Sequence, residues 1–102
     1  MKSFNETIED ILQEARDTIS AKGTEYMVGL DPFHVFHEAG RITGKTPQQA
    51  AWAIAIKHLV SVIDVIKYDR GNDLDLIKEK FGDLRNYLIL IEASWRMEKE
   101  DG

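Results

Sequence analysis

Residues 47–66 have the sequence PQQAAWAIAIKHLVSVIDVI, and from Ala50 onward only four polar residues interrupt the apolar run. At 100° per residue, Lys57, Ser61 and Asp64 share one narrow stripe of a helix, and His58 borders it. An ammonium group, an imidazole and a hydroxyl can together hydrogen-bond a small anion and neutralise its charge. The plainer interpretation is that these side chains only form the solvated side of the helix. The stripe therefore predicts where a binding site would lie, and both interpretations stay open.

A pair of carboxylates stands further along the chain, where Glu79 and Asp83 are four residues apart and project from one side of a helix. Carboxylate oxygens hold Mg²⁺ in proteins, and Asp64 could face this pair from the preceding helix. Gly82 costs a helix about 1 kcal/mol relative to Ala, so it suggests close helix packing or close approach of a ligand. Tyr87 could stack on a ligand, although aromatic residues at helical spacing more often belong to a core.

The helices that would carry these residues have clear start signals. Ser3 and Glu6 form a capping box for a first helix, which we expect to end at Lys22-Gly23. Thr46-Pro47, with Gln at the third helical position, predicts the start of a central helix that runs to about Lys67.

A short helix is predicted between these two, with Asp31 as its cap and Pro32 at its first position. His34 and His37 are three residues apart and could share a face of it. Paired histidines can ligate a metal, but Glu38 is the only further ligand nearby, so satisfied or solvated histidines are favoured.

Asp73 is the predicted cap of the last helix. Helical spacing predicts a buried face formed by Leu76, Ile77, Phe81, Leu84, Leu88, Ile91 and Trp95. Residues 95–102 are charged, and we expect this tail to fray. The chain is thus predicted to be a single all-α domain over residues 1–102, a compact bundle of three long helices and one short helix.

Composition restricts the classes of protein to which the chain can belong. It has 102 residues, 43% hydrophobic and 30% charged, and no cysteine, which excludes a disulfide framework and thiolate sites. No apolar run of membrane-span length is expected, and residues 1–10 do not resemble a signal peptide, so a cytoplasmic protein fits best. The net charge of −5 argues against binding to a nucleic-acid backbone. Residues 32–70 carry five basic and three acidic side chains, which makes this region, including Arg70, the expected place for a small anion.

The run from Lys78 to Ala93, KEKFGDLRNYLILIEA, resembles the final metal-binding helix of the MazG-like all-α nucleoside triphosphate pyrophosphohydrolases. Gly82 and Asp83 match that family's pattern. The family's Glu, three residues before the Asp, is replaced here by Lys80, and the nearest acid is Glu79. The resemblance implies an all-α fold, a Mg²⁺ cofactor and cleavage of a nucleoside triphosphate to a monophosphate and pyrophosphate.

The order of landmarks over about 80 residues also resembles a family of small uncharacterised helical proteins of phages and prophages. The landmarks are Ile11 to Ala15, Gly23 to Tyr26, Phe33 with Phe36, Thr46-Pro47, Lys57, and Asp83 with Tyr87. This chain departs from the pattern at Val60, where members usually have Arg, and at Met27, where they tend to have Gly.

Three functions follow as alternatives. In the first, a phage-type helical protein binds a nucleotide or nucleotide-derived anion without clear catalysis, which would sequester a nucleotide signal or modulate nucleotide metabolism. The ligand-binding candidates for this function are Lys57, His58, Ser61, Tyr87 and Arg70.

In the second alternative the protein is a Mg²⁺-dependent pyrophosphohydrolase, with Asp83 and Glu79 holding the metal and Asp64 across from them. The central helix offers only Asp64 where the MazG-like family has three glutamates. In the third, the protein binds a host or viral protein through an exposed apolar helix face. For each we expect a homo-oligomer, a dimer or larger, and no membrane partner.

Overall fold

The computed structural model describes residues 1–26, 29 and 31–101, which form four α-helices and, within that part of the chain, no strand. The helices are α1 (Phe4–Tyr26), α2 (His34–Thr43), α3 (Pro47–Lys67) and α4 (Leu74–Asp101). The predicted all-α class, with three long helices and a short one, is confirmed. Met27, of the loop that resembles the phage proteins, lies outside the described residues.

Capping boxes begin α1 and α3, as predicted. The backbone N–H of Glu6 donates to Ser3 Oγ at 3.2 Å, and the Ser3 N–H donates back to the Glu6 carboxylate at 3.5 Å. At α3 the Gln49 N–H donates to Thr46 Oγ1 at 3.1 Å, and the Thr46 N–H donates to Gln49 Oε1 at 3.0 Å. These reciprocal bonds satisfy N–H groups that have no partner within the helix.

The predicted start of α4 is also confirmed, because the Asp73 carboxylate accepts from the Leu76 N–H at 3.1 Å. The predicted end of α1 at Lys22-Gly23 is wrong, since the helix continues through Gly23 to Tyr26. A single glycine costs about 1 kcal/mol, which a helix of 23 residues tolerates.

The start of α2 differs from the prediction as well. Asp31 accepts a hydrogen bond from the Phe33 N–H at 2.9 Å, which forms a turn before the helix. The helix consequently begins at His34 and not at Pro32, and Phe33 is its N-cap residue.

The core lies where α2 packs across the α3–α4 pair. Phe33 and Phe36 contact Ala51 and Ile91 there, and the Phe33 and Phe36 rings stack with centroids 6.2 Å apart. The side of α3 that faces the core carries mainly alanine, with Ala50, Ala51 and Ala55 all buried. Small side chains on α3 therefore let its neighbours approach closely. In contrast, α1 packs mainly on α4 and makes fewer contacts than the other helices.

The predicted buried face of α4 is wrong in part. Ile91 is buried, but Phe81, Leu88 and Trp95 are 38, 47 and 52% exposed. The helix is rotated so that the side carrying Ile91 and Ser94 faces the core. In the single chain the other apolar stripe faces outward. The tail predicted to fray, 95–102, is helical through Asp101.

Of the described helices, α3 is long and apolar enough to cross a membrane by length and composition alone. It meets this criterion despite the polar residues that were expected to prevent it. The core helix of a soluble protein meets the same criterion, so this is weak evidence for a membrane span.

Candidate ligand-binding groove

A groove of about 550 Å³ opens between the C-terminal part of α1, the start of α2 and the middles of α3 and α4. This volume falls within the range of about 300–1,000 Å³ that is typical of small-molecule sites. Its residues include Lys57 and His58 from α3 and Asp83, Asn86 and Tyr87 from α4. We call this feature the groove.

The stacked pair of His58 and Tyr87 lies at its centre, with ring centroids 5.2 Å apart and an interplanar angle of 25°. Asp83 lies next to the imidazole, with 3.6 Å between His58 Nδ1 and Asp83 Oδ2. That distance is too long for a hydrogen bond but permits an ion pair when the imidazole is protonated. The side chain of His58 is 18% exposed, so one part of it remains accessible from the groove.

Positive charge exceeds negative charge along the groove. Lys57 lines it from α3 and Lys22 from α1, whereas Asp83 is its one acidic residue among those described. Lys57 is exposed, so its ammonium group can reach a ligand without the cost of uncovering a buried charge. This balance suits a small anion better than a cation.

The remaining wall is largely apolar, with Phe33, Phe36 and Leu90. Asn86 also lines the groove, and its Oδ1 atom is buried without a hydrogen-bond partner among the described residues. An unpaired buried acceptor costs about 1–3 kcal/mol, and a donor group of a ligand would relieve that cost. The groove thus combines a flat aromatic surface, an apolar wall and a few polar groups.

The structure brings together three of the five predicted ligand-binding residues, namely Lys57, His58 and Tyr87. Ser61 does not line the groove, and its hydroxyl donates to the Lys57 carbonyl at 3.1 Å. Arg70 lies in the turn between α3 and α4, in a separate depression. A role for Ser61 and Arg70 in binding stays a prediction.

The predicted metal ligands are dispersed. Asp83 lies in the groove, but Glu79 and Asp64 are exposed residues outside it. Within the described part of the chain, no three His, Asp or Glu side chains come close enough to hold a metal ion. Magnesium prefers several oxygen ligands in octahedral geometry, and these residues alone do not supply them.

The two histidines of α2 serve different contacts. His37 Nδ1–H donates to Asp31 Oδ2 at 2.6 Å, while His34 is half-buried. Partial burial raises the pKa of Asp31, but the hydrogen bonds from His37 and from the Phe33 N–H outweigh it and lower that pKa below its ordinary value. Asp31 therefore acts as a structural acceptor at the edge of the groove.

Sequence reasoning missed Lys22, Phe33 and Asn86 as residues of the groove. In the sequence, Lys22 marks a predicted helix end and Phe33 is a landmark of the short helix, while no local pattern singles out Asn86. They come together only because α1 packs on α4 while α2 packs on α3, which is a long-range property of the fold.

A scan against protein-family models, a search of the curated proteins and a search of the solved structures found no match for this chain.

Proposed function

We propose that the groove binds a nucleotide or a related small anion without clear catalysis. The observation that carries this proposal is the stacked His58–Tyr87 pair beside the exposed Lys57 in one groove of ligand size. A nucleotide needs a flat apolar surface for its base and positive charge for its phosphate, and these groups supply both.

Each part of such a ligand has a suitable partner. The base would lie against the stacked His58–Tyr87 pair, beside the apolar wall that includes Phe33 and Phe36, since ring stacking favours flat π-systems. The phosphate would lie near Lys57, whose ammonium group donates charge-assisted hydrogen bonds. Asn86 could accept from an amino group of the base. The resemblance of the sequence to nucleotide pyrophosphohydrolases is consistent with this class of ligand.

Binding is proposed in preference to hydrolysis because carboxylates are few. Hydrolysis of a triphosphate with Mg²⁺ needs several carboxylates to hold the metal and position water. Among the described residues that line the groove, Asp83 is the one carboxylate. In a phage setting, a binder of this kind would sequester a nucleotide signal or modulate nucleotide metabolism.

Calorimetric titration with a panel of nucleoside and deoxynucleoside mono-, di- and triphosphates tests the proposal. We expect saturable binding of at least one of them, and binding about tenfold or more weaker in Lys57→Met, because a charge-assisted bond contributes roughly 1.5–3 kcal/mol. Lys67→Met is the matched control, since Lys67 lies at the end of α3 over the Tyr68 ring, away from the groove. If no nucleotide binds, or if both variants lose affinity equally, the proposal is wrong.

Incubation of the same nucleotides with Mg²⁺ or Mn²⁺ tests catalysis, with chromatography for monophosphate and pyrophosphate. We expect no turnover. Turnover that disappears in Asp83→Asn would replace the binding proposal with a pyrophosphohydrolase that works with a reduced set of carboxylates.

A further inference from the structure

An apolar surface that the fold leaves uncovered runs along the antiparallel helices α3 and α4. We call it the α3–α4 face. Its exposed members are Trp52, Ile56 and Ile63 on α3 and Phe81, Leu88 and Trp95 on α4, each 38–52% exposed. Isolated exposed apolar residues are ordinary, but a continuous set of this kind indicates an interaction site.

The two sets of residues lie side by side. Hydrogen bonding of Gln48 to Ser94 and the proximity of His58 to Asp83 fix the antiparallel register of α3 and α4. In that register Ile56 is level with Leu88, and Ile63 is level with Phe81. At 100° per residue, both sets lie on the side of their helix opposite to the residues that line the groove. They therefore form one surface on the far side of the molecule from the groove.

The spacing along this face is that of helices that pack lengthwise. Apolar residues alternate at intervals of four and three on both helices: Trp52, Ile56, Leu59, Ile63 and Ile66 on α3, and Ile77, Phe81, Leu84, Leu88, Ile91 and Trp95 on α4. This is the heptad pattern of coiled coils and four-helix bundles, in which every helix packs against two neighbours. On α4 the inner residues of the pattern, such as Ile91 and Leu84, are covered, while Leu88 remains exposed.

The solvent-accessible surface of the single chain is larger than that of a compact monomer of the same mass, which supports burial of part of it in an interface. The chain exposes 7,536 Å², whereas a monomer of 11.7 kDa is expected to expose about 5,900 Å². The radius of gyration is 15.4 Å, against about 13 Å for a compact domain of this length. The excess of about 1,600 Å² per chain is enough for an obligate homodimer, which buries in total about 2,000 Å² or more.

We propose that two copies of this chain associate through the α3–α4 face, so that two α3–α4 hairpins form a four-helix bundle with the grooves on its outer sides. A hairpin with heptad spacing on both helices is complementary to a second copy of itself about a two-fold axis. Charged residues such as Glu92 and Lys99 lie within the exposed part of α4. Charges of this kind are typical of the hydrated rim of a protein interface and do not suit contact with lipid. This inference is independent of the proposed ligand.

Sedimentation and light scattering over a dilution series of the full chain test the dimer. We expect twice the chain mass of 11.7 kDa. Leu88→Glu places a charge in the centre of the face and should raise the dissociation constant by about 30-fold or more. Ile42→Glu is the matched control, because Ile42 is an exposed apolar residue on α2, away from the face, and this variant should remain dimeric.

Circular dichroism of each variant shows whether it is folded. If Leu88→Glu does not fold, the milder Ile56→Ala provides the test, and its dissociation constant should rise while that of Ile42→Ala does not. A parent chain that has the monomer mass at every concentration overturns the inference, as does equal dissociation of the face and control variants. A monomer that binds phosphatidylglycerol vesicles through this face would assign it to a membrane and overturn the inference too.

Discussion

Asp31 is the residue that joins the turn before α2 to the helix itself. Its carboxylate accepts from the Phe33 N–H and from His37 Nδ1–H, and His34 lies nearby. Although burial raises the pKa of Asp31, these bonds together with the charges of His37 and His34 lower it in the folded protein. The carboxylate form is thus favoured by folding, and the bond that joins the turn to α2 depends on pH.

The lowered pKa of Asp31 predicts a specific loss of stability in acid. A carboxyl group whose pKa is lower in the folded than in the unfolded state stabilises the fold at pH values above the unfolded-state pKa, which is about 4. This contribution is lost as the pH falls through the folded-state pKa. Asp31→Asn should therefore melt at a lower temperature at pH 7 and lose less stability than the parent between about pH 4 and pH 2. Thermal melts across this range measure it. Identical pH profiles for parent and variant would contradict the role.

At Gly40 the fold requires a residue without a side chain. A Cβ atom at this position would lie 2.7 Å from the carbonyl oxygen of Lys45 and 3.2 Å from the nitrogen of Pro47, where α2 turns into α3. No local sequence pattern indicates this contact, because it depends on how closely the backbone of the turn approaches α2. By contrast, the prediction for Gly82 is close helix packing or close approach of a ligand, and a Cβ atom there would meet the Arg85 side chain, at Nη2, at 3.4 Å.

We expect Gly40→Ala to lower the free energy of unfolding by about 1–3 kcal/mol, because backbone must move to make room for the methyl group. Gly23→Ala is the control, since a Cβ atom at Gly23 would meet nothing within 4 Å and alanine favours the helix. Urea denaturation of both variants measures the difference. An equal effect of the two substitutions would show that the turn adapts to a side chain at Gly40.

At the scale of elements, the starts of α1, α3 and α4 were predictable, whereas the start of α2 and the orientation of α4 were not. The caps at Ser3, Thr46 and Asp73 are local, because each side chain bonds a backbone group three residues away. The rotation of α4 depends on which of its apolar stripes α2 and α3 cover, and the spacing of residues alone does not distinguish the two stripes. For this reason Phe81 and Trp95 were assigned to the core and are exposed instead.

Substitution of Thr46, the N-cap residue of α3, measures how much a local cap contributes to stability. Thr46→Ala removes the hydroxyl that accepts from the Gln49 N–H, and we expect a loss of about 1 kcal/mol in the free energy of unfolding. Thr46→Ser keeps an oxygen in the same position and should retain most of that stability. Urea denaturation compares the three proteins. If serine fails to restore stability, packing of the threonine methyl group and not the cap would explain the effect.

At the scale of the whole molecule, the fold separates two surfaces. The sequence located part of the groove, since Lys57, His58 and Tyr87 were all predicted, but its aromatic wall arises from packing between distant segments. The α3–α4 face lies on the opposite side. A ligand in the groove and a second copy on the face would therefore occupy the molecule at the same time without competing for residues.

The fluorescence of the two tryptophans distinguishes contact at the α3–α4 face from binding in the groove. Trp52 and Trp95 both lie on the α3–α4 face, 43 and 52% exposed in the single chain, and neither lines the groove. Dissociation of a dimer would return both indole rings to water, so we expect the emission maximum to shift to longer wavelength on dilution, in parallel with the loss of dimer mass. A saturating nucleotide should leave the emission maximum at high protein concentration unchanged. If dilution changes the mass but not the emission, the two copies meet through another surface.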